Sequence, residues 1–357
     1  MSYQGAIIAD PAAGEGLAAA RADLMRQAQA ACALGSPFVR DVLAAASRQL
    51  PRAPLLALRL ATWPGNRASA ALALRLASGL HALARSGAVP SLAAVYAASG
   101  GEVDRALADA FETADAELVR WLDHPTQTNE VARSAALYAA LMATAGPPGH
   151  PVELFELGAS AGLNLNLAHY AYCLGGTAAG DPVSPLRMAP RWTGSAPRRH
   201  ALSVVMARGV DLAPLDIACS DACERLIAYV WADRADRMAH LVSAIRIARQ
   251  HPPRIDRGEA SAWLAARLAE PQREGTTRAV VHSMLRQYLD GATRERLAAT
   301  LARAGEQATS SRALVHIAYE WNDSRTRVEL TATTWPDGQT RLLALPDPYG
   351  DAVHWLG

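Results

Sequence analysis

After residue 150 the chain alternates between two textures, and that alternation limits its folds more than any other feature. Short apolar runs appear at 152–157 (VELFEL), 202–212 (LSVVMARGVDL), 278–285 (RAVVHSML) and 312–321 (RALVHIAYEW), with PRIDRGEA at 253–260 as a further short strand. Between them lie segments of helical periodicity: LNLNLAHYAYCL, CERLIAYVWADRADRMAHLVSAIRIARQ, SAWLAARLAE and RERLAATLARAG. Strand–helix alternation predicts a mostly parallel, doubly wound sheet whose ligands sit at the carboxyl ends of its strands. The segment VELTATTWPDGQTRLLALPDPYG carries Pro336-Asp337-Gly338 between two strand-like stretches, which predicts a C-terminal antiparallel hairpin.

The first part of the chain reads differently. Apolar residues recur at three and four in LAAARADLMRQAQAACAL, VRDVLAAASRQL, RASAALALRLASGLHALARSG and VDRALADAFETADAELVRWLDH. Pro51, Pro54, Pro64, Pro90 and Gly100-Gly101 punctuate them, and Thr128 is placed to cap NEVARSAALYAALMATA. Alanine is abundant and aromatics are only 6%, a composition suited to close-packed helices. We expect an all-helical cap or substrate domain over 1–148. A sheet domain over 149–357 follows, divided from it at Gly146-Pro147-Pro148-Gly149 and carrying an insertion at about 175–200.

Charge narrows the partners. A formal net charge of +1 argues against bulk nucleic acid or an anionic membrane and favours a small-molecule substrate. The segment MSYQGAIIADPAAGEG lacks the basic start and apolar core of a signal peptide, and Gly, Pro, Asn and His interrupt every long uncharged stretch. A cytoplasmic protein is expected. Cys32, Cys173, Cys219 and Cys223 show no metal-ligand pattern. Cys219 and Cys223 are spaced for one helix face, and buried, reduced thiols are the simplest reading. No metal site is expected.

The segment Glu156-Leu-Gly158-Ala-Ser160-Ala-Gly162-Leu-Asn164 follows the first strand. Small residues there allow a sharp turn and close approach of a ligand to backbone N–H groups. A dinucleotide fingerprint fails at Ser160 and Leu163, and a phosphate loop fails for want of Gly-Lys-Ser/Thr. Gly158-Ala-Ser160-Ala-Gly162 matches a nucleophile elbow, with Asp211 and His282, His316 or His354 downstream; that reading predicts a serine hydrolase using Ser160. Against it, helices stand where a hydrolase places its earlier strands and oxyanion loop. The remaining reading is the first motif of a class I S-adenosylmethionine-dependent methyltransferase, which Glu156, Gly158 and Gly162 resemble with Ser160 in place of the middle glycine. In that motif the acid and turn amides meet the methionine part of the cofactor. Gly209-Val-Asp211 resembles the second motif, whose acid holds ribose hydroxyls. Its distance from Gly162 exceeds the ~20 residues usual in dinucleotide sites and requires the insertion. Gly258-Glu259-Ala260 resembles the third motif, whose acid accepts from the adenine amino group.

Ser36-Pro-Phe38, Gln127-Thr-Asn129-Glu130-Val-Ala-Arg133, the 156–165 turn, Arg208-Gly-Val-Asp211-Leu-Ala-Pro-Leu-Asp216, His282-Ser283 with Gln287-Tyr288, Trp335-Pro-Asp-Gly338 and Asp347-Pro-Tyr-Gly350 together resemble the bacterial family catalogued as domain of unknown function 2332. The resemblance covers nearly the whole length and implies a class I methyltransferase-like, Rossmann-like fold, without an assigned reaction. Ala232 stands where the family tends to have Pro, and Tyr349 where it tends to have His.

The expected site follows from these matches. Glu156, Gly158, Ser160, Gly162, Asn164, Asp211 and Glu259 are the candidate cofactor-binding residues, for S-adenosylmethionine. Gln127, Asn129, Glu130 and Arg133 form a polar cluster beside an alanine-rich helix and are the candidate substrate contacts. Their simpler reading is a helix cap and a solvated pair. His282, Ser283 and Tyr288 follow the fourth strand and are the catalytic candidates, with His282 as general base. Glu320 is a weaker candidate, and His316 reads as core. Asp347-Pro-Tyr-Gly350 reads as a turn after the last strand, and Arg198-Arg199-His200 as solvated surface. A methyltransferase, a serine hydrolase and a non-catalytic binding or scaffold protein of degenerate methyltransferase fold all remain open at this level.

Overall fold

A computed structural model describes residues 11–146, 150–197 and 202–357. The Pro147–Gly149 part of the expected boundary, the Arg198–His200 cluster and the first ten residues lie outside the described residues. The helices are α1 (Pro11–Ala33), α2 (Pro37–Gln49), α3 (Pro54–Ala61), α4 (Leu72–Ser86), α5 (Pro90–Ala98), α6 (Val103–Asp123), α7 (Ser134–Thr144), α8 (Ser220–Ala228), α9 (Ala235–Gln250), α10 (Ala260–Ala269) and α11 (Gly291–Glu306). The strands are β1 (Val152–Leu157), β2 (Ala171–Leu174), β3 (Thr177–Gly180), β4 (Arg187–Met188), β5 (Arg191–Thr193), β6 (Val204–Asp211), β7 (Ile255–Arg257), β8 (Thr276–Ser283), β9 (Arg312–Trp321), β10 (Val328–Trp335), β11 (Gln339–Pro346) and β12 (Ala352–Trp355).

The chain forms two compact units. One takes residues up to Thr128 together with Ser220–Met238; the other takes Asn129–Cys219 and Ala239–Gly357. The division falls at Thr128/Asn129 rather than at residue 148, for a physical reason. α7 is buried along its length, from Ser134 through Met142, and a helix apolar on every side needs neighbours all round. It packs on β9, β10 and β2, and Tyr138 stacks on Tyr172 at 4.5 Å. It is therefore a helix of the sheet unit.

In the helical unit, Pro37, Pro54 and Pro90 open α2, α3 and α5, where a missing N–H costs nothing. The later insertion is tied in by Asp233. Its carboxylate accepts the Phe38 N–H at 3.1 Å and the Ser36 hydroxyl, a negative charge at the positive end of α2. Ser36-Pro-Phe38 is thus a structural joint. His81 Nδ1 meets the Ala228 carbonyl at 3.1 Å, and Arg85 pairs with Glu224 at 2.9 Å.

The main sheet has nine strands in the order β5-β12-β11-β10-β9-β8-β1-β6-β7. β7, β6, β1, β8 and β9 are parallel, the doubly wound order 3-2-1-4-5. β10 and β11 add the expected hairpin. β12 then returns antiparallel to β11, and β5, from within the 175–200 insertion, closes the edge parallel to β12. On one face Phe155, Leu157, Val280 and Leu314 pack with Leu264 of α10 and with Leu297 and Leu301 of α11.

Local details differ from expectation. LNLNLAHYAYCL is not an α-helix: Leu163–His169 is a 3-10 helix, and Ala171–Leu174 is a strand of a small β3-β2-β4 sheet. Tyr170 and Tyr172 are fully buried and donate to the Leu163 and Leu167 carbonyls, side-chain bonds that compete with a continuous helix. The 223–250 stretch breaks between α8 and α9. Cys219 precedes α8 rather than sharing its face. Cys223 is buried as expected, whereas Cys32 and Cys219 are exposed and Cys173 is half-buried. None of the four is in a disulfide.

Candidate functional site

The β1 turn sits at the carboxyl edge of the parallel strands. Gly158, Ser160 and Gly162 all adopt left-handed backbone, with φ of +70°, +55° and +69°. A side chain on Gly162 would lie 2.7 Å from Pro253, so glycine is required there twice over. Two carboxamide and carboxylate groups hold the turn from outside. The Ser160 N–H donates to Asp211 Oδ2 at 2.8 Å, and the Leu163 N–H donates to Asn129 Oδ1 at 3.0 Å. Asp211 Oδ1 also accepts the Ala213 N–H at 2.9 Å. Asp211 and Asn129 therefore shape the turn, and each Asp211 oxygen retains a second lone pair.

Along this segment, three buried side-chain oxygens have no hydrogen-bond partner. Glu156 is 3% exposed; Oε1 accepts weakly from Asn164 Nδ2 at 3.4 Å, and Oε2 has no hydrogen-bond partner. Asn164 Oδ1 and Ser160 Oγ, both buried, also have none. Buried polar atoms of this kind are rare because each costs about 1–3 kcal/mol. Burial pushes the Glu156 carboxyl up to about 8. Asp211 adds to the rise, and the Asn164 bond and the Arg133 charge oppose it.

Side-chain alternation along the strands divides the remaining candidates. β1, β8 and β9 are in register, with Leu157 opposite His282, Glu156 opposite Val281, and Ser283 opposite Tyr319. Residues in register share a face, and neighbours along a strand do not. Glu156, Ser283 and Tyr319 thus face one way, and Leu157, His282, His316 and Glu320 face the other, with α10 and α11. On the Glu156 face, Arg133 is 8% exposed. It donates through Nε to the Pro348 carbonyl at 2.9 Å, approaches Ser283 Oγ at 3.5 Å, and lies over the Tyr319 ring. Tyr319 donates to the Asp347 carbonyl. Asp347 Oδ1 accepts the Tyr349 and Gly350 N–H groups at 2.7 and 3.0 Å, and its buried Oδ2 has no partner. Glu130 is also buried on this unit, while Gln127 belongs to the helical unit.

The Asp347–Gly350 turn is the part of this site that sequence reasoning set aside. It follows β11 and precedes β12, rather than closing the chain. β11 runs parallel to β9 because β10 is antiparallel to both. Its end therefore lies on the carboxyl edge shared by β1 and β8. The one available sequence signal was the Asp-Pro-x-Gly turn itself.

On the opposite face, His282 Nδ1 meets Glu320 Oε1 at 2.6 Å, and its Nε2 meets His316 Nε2 at 3.0 Å. The same Glu320 oxygen accepts the Leu285 and Arg286 N–H groups at 2.8 and 3.3 Å. Desolvation, with the His282 and Arg286 charges, holds His316 down to about 3. Both His282 nitrogens are committed, so it stands as a structural pair rather than as a base beside Glu156. Glu259 caps α10: it accepts the Ser261 and Ala262 N–H groups, both at 2.9 Å, and the Ser261 hydroxyl. Those bonds hold its carboxyl below the ordinary value against the opposing burial. Tyr288 is 60% exposed, in the 3-10 helix Arg286–Tyr288. His354 bonds Thr193 on β5, at the far side of the sheet. No histidine among the described residues reaches Ser160 Oγ.

The family profile described as uncharacterized protein conserved in bacteria, domain of unknown function 2332, matches residues 21–355. The chain belongs to this family. Nothing matches among curated proteins or among solved structures. Within this member of the 2332 family, no group of three or more His, Cys, Asp or Glu residues is arranged to hold a metal among the described residues. No described helix is long and apolar enough to cross a membrane.

Proposed function

We propose that this protein is an S-adenosylmethionine-dependent methyltransferase of the cytoplasm that acts on a small molecule. The observation that carries the reading is the set of three partnerless buried oxygens, Glu156 Oε2, Ser160 Oγ and Asn164 Oδ1, beneath the turn at the carboxyl edge of a doubly wound sheet. An ammonium, with three N–H donors, would suit buried acceptors that one short segment supplies from three residues. The cofactor supplies an electrophilic methyl on a sulfonium, and its methionine part carries such an ammonium. Asp211, with a lone pair left on each oxygen, is placed to accept from ribose hydroxyls. Glu259 is less suited to the adenine amino group, because helix capping takes up most of its acceptor capacity.

Methyl transfer is an in-line displacement, so alignment of nucleophile and methyl group supplies much of the rate. In this reading Arg133, Ser283 and Glu130 position the substrate on the Glu156 face. Asp347 Oδ2 is the acceptor for a proton leaving the nucleophile, the role first given to His282. Calorimetric titration of the purified chain with S-adenosylmethionine tests the proposal. Saturable binding that is lost in Glu156→Gln supports it, and no binding at millimolar cofactor overturns it.

A further inference from the structure

The helical unit contains a cavity of about 300 Å³ between α1, the end of α3 and residues 67–74. That is about ten times the liquid volume of one water and at the lower end of the range of small-ligand pockets. Leu24, Leu60 and Leu72 line it, with Asp23, Arg26 and Arg67 also among the lining residues. Asp23 accepts from Arg67 Nε at 2.8 Å and also pairs with Arg26. Two guanidiniums against one carboxylate leave this side of the cavity with net positive charge. The terminal nitrogens of Arg67 have no acceptor among the described residues. Leucine walls beside an arginine with unused donors are complementary to a molecule with an apolar body and an anionic head.

The geometry points to a binding site for a medium-chain carboxylate, with the chain against Leu24, Leu60 and Leu72 and the carboxylate on Arg67. The volume accommodates about ten heavy atoms, each of roughly one water's size, which is the size of octanoate. This site lies wholly within the helical unit and does not depend on the cofactor reading.

Titration calorimetry of the full chain with octanoate, 1-octanol and butyrate tests it. Octanoate is expected to bind saturably. Octanol should bind at least about tenfold more weakly for want of the charge, and butyrate should give no saturable signal for want of chain. Arg67→Gln should weaken octanoate by about tenfold or more and leave octanol unchanged. Ala30→Trp fills the cavity from an exposed position on α1, so it should abolish both while the unfolding temperature is maintained. Absence of saturable octanoate binding, or unchanged octanoate affinity in the two variants, overturns the assignment.

Discussion

His282 and Ser283 are consecutive in β8, yet one meets Glu320 beneath α10 and α11 while the other meets Arg133 on the opposite face. The strand's two-residue period sends adjacent side chains to different environments. Only Ser283 shares a face with Glu156. His282→Ala would remove a buried hydrogen-bond partner of Glu320 and open a space beneath α10 and α11, a loss of roughly 1–3 kcal/mol. Urea denaturation should show that loss, while calorimetry on the folded variant should give wild-type cofactor affinity. A tenfold or greater loss of affinity at unchanged stability would return His282 to the site.

Glu156 makes stability depend on pH in a defined direction. Its folded-state carboxyl titrates at about 8, against about 4.3 in an unfolded chain. Below the unfolded value both states hold the proton and its contribution is fully present. As pH rises from there through about 8, unfolding releases that proton and the contribution is lost. The loss is at most about 5 kcal/mol. Glu156→Gln cannot titrate, so its unfolding temperature should rise relative to wild type between about pH 5 and about pH 8. Parallel curves for the two proteins would contradict the burial argument. An ammonium bound to Glu156 favours the carboxylate, so binding at neutral pH should release a proton, read from calorimetry in buffers of different ionisation enthalpy.

Much of this architecture was legible from periodicity. Strand–helix alternation pointed to the parallel sheet, and Pro336-Asp337-Gly338 pointed to the β10–β11 hairpin. What escaped was set by tertiary contacts that no local pattern carries. α7 reads equally well as the last helix of a cap or as a helix of the sheet unit, and only its burial all round decides between them. Glu259 lies in a methyltransferase-like Gly-Glu-Ala, but Glu followed by Ser261 is also helix-capping chemistry, and the cap prevailed. Asp347 could be placed at the site only once β10 was known to reverse the chain and carry the end of β11 back to the edge of β1 and β8.

Ser160 separates the methyltransferase and hydrolase readings. Its φ of +55° is a strained conformation for a residue with a β-carbon, costing about 1 kcal/mol, and its Oγ is buried without a base. A fluorophosphonate probe should leave it unlabelled; labelling that disappears in Ser160→Ala would instead favour the hydrolase. Ser160→Gly relieves the strain but adds unfolded-chain entropy of about 0.4–1 kcal/mol, so stability should change little. If Oγ is one of the ammonium's acceptors, cofactor affinity should still fall about tenfold.

Gly350 tests whether the Asp347 turn is part of the site or an incidental loop. Its φ is +85°, and a β-carbon there would lie 2.6 Å from the backbone of Ala132 and Arg133. Those atoms belong to the 3-10 helix Val131–Arg133, backbone that cannot rotate away as a side chain could. Gly350→Ala therefore combines left-handed strain of about 1–2 kcal/mol with a clash that pushes the turn from Arg133 and stretches its bond to the Pro348 carbonyl. A loss of more than about 2 kcal/mol is expected in urea denaturation. Gly291 is the control: it opens α11, and nothing lies within 4 Å of an added β-carbon, so Gly291→Ala should be neutral or slightly stabilising. If the turn positions the substrate, a suppressor that restores Gly350→Ala stability elsewhere in the chain should not restore methyl transfer. Equal stability of the two glycine variants would show that the turn does not bear on Arg133.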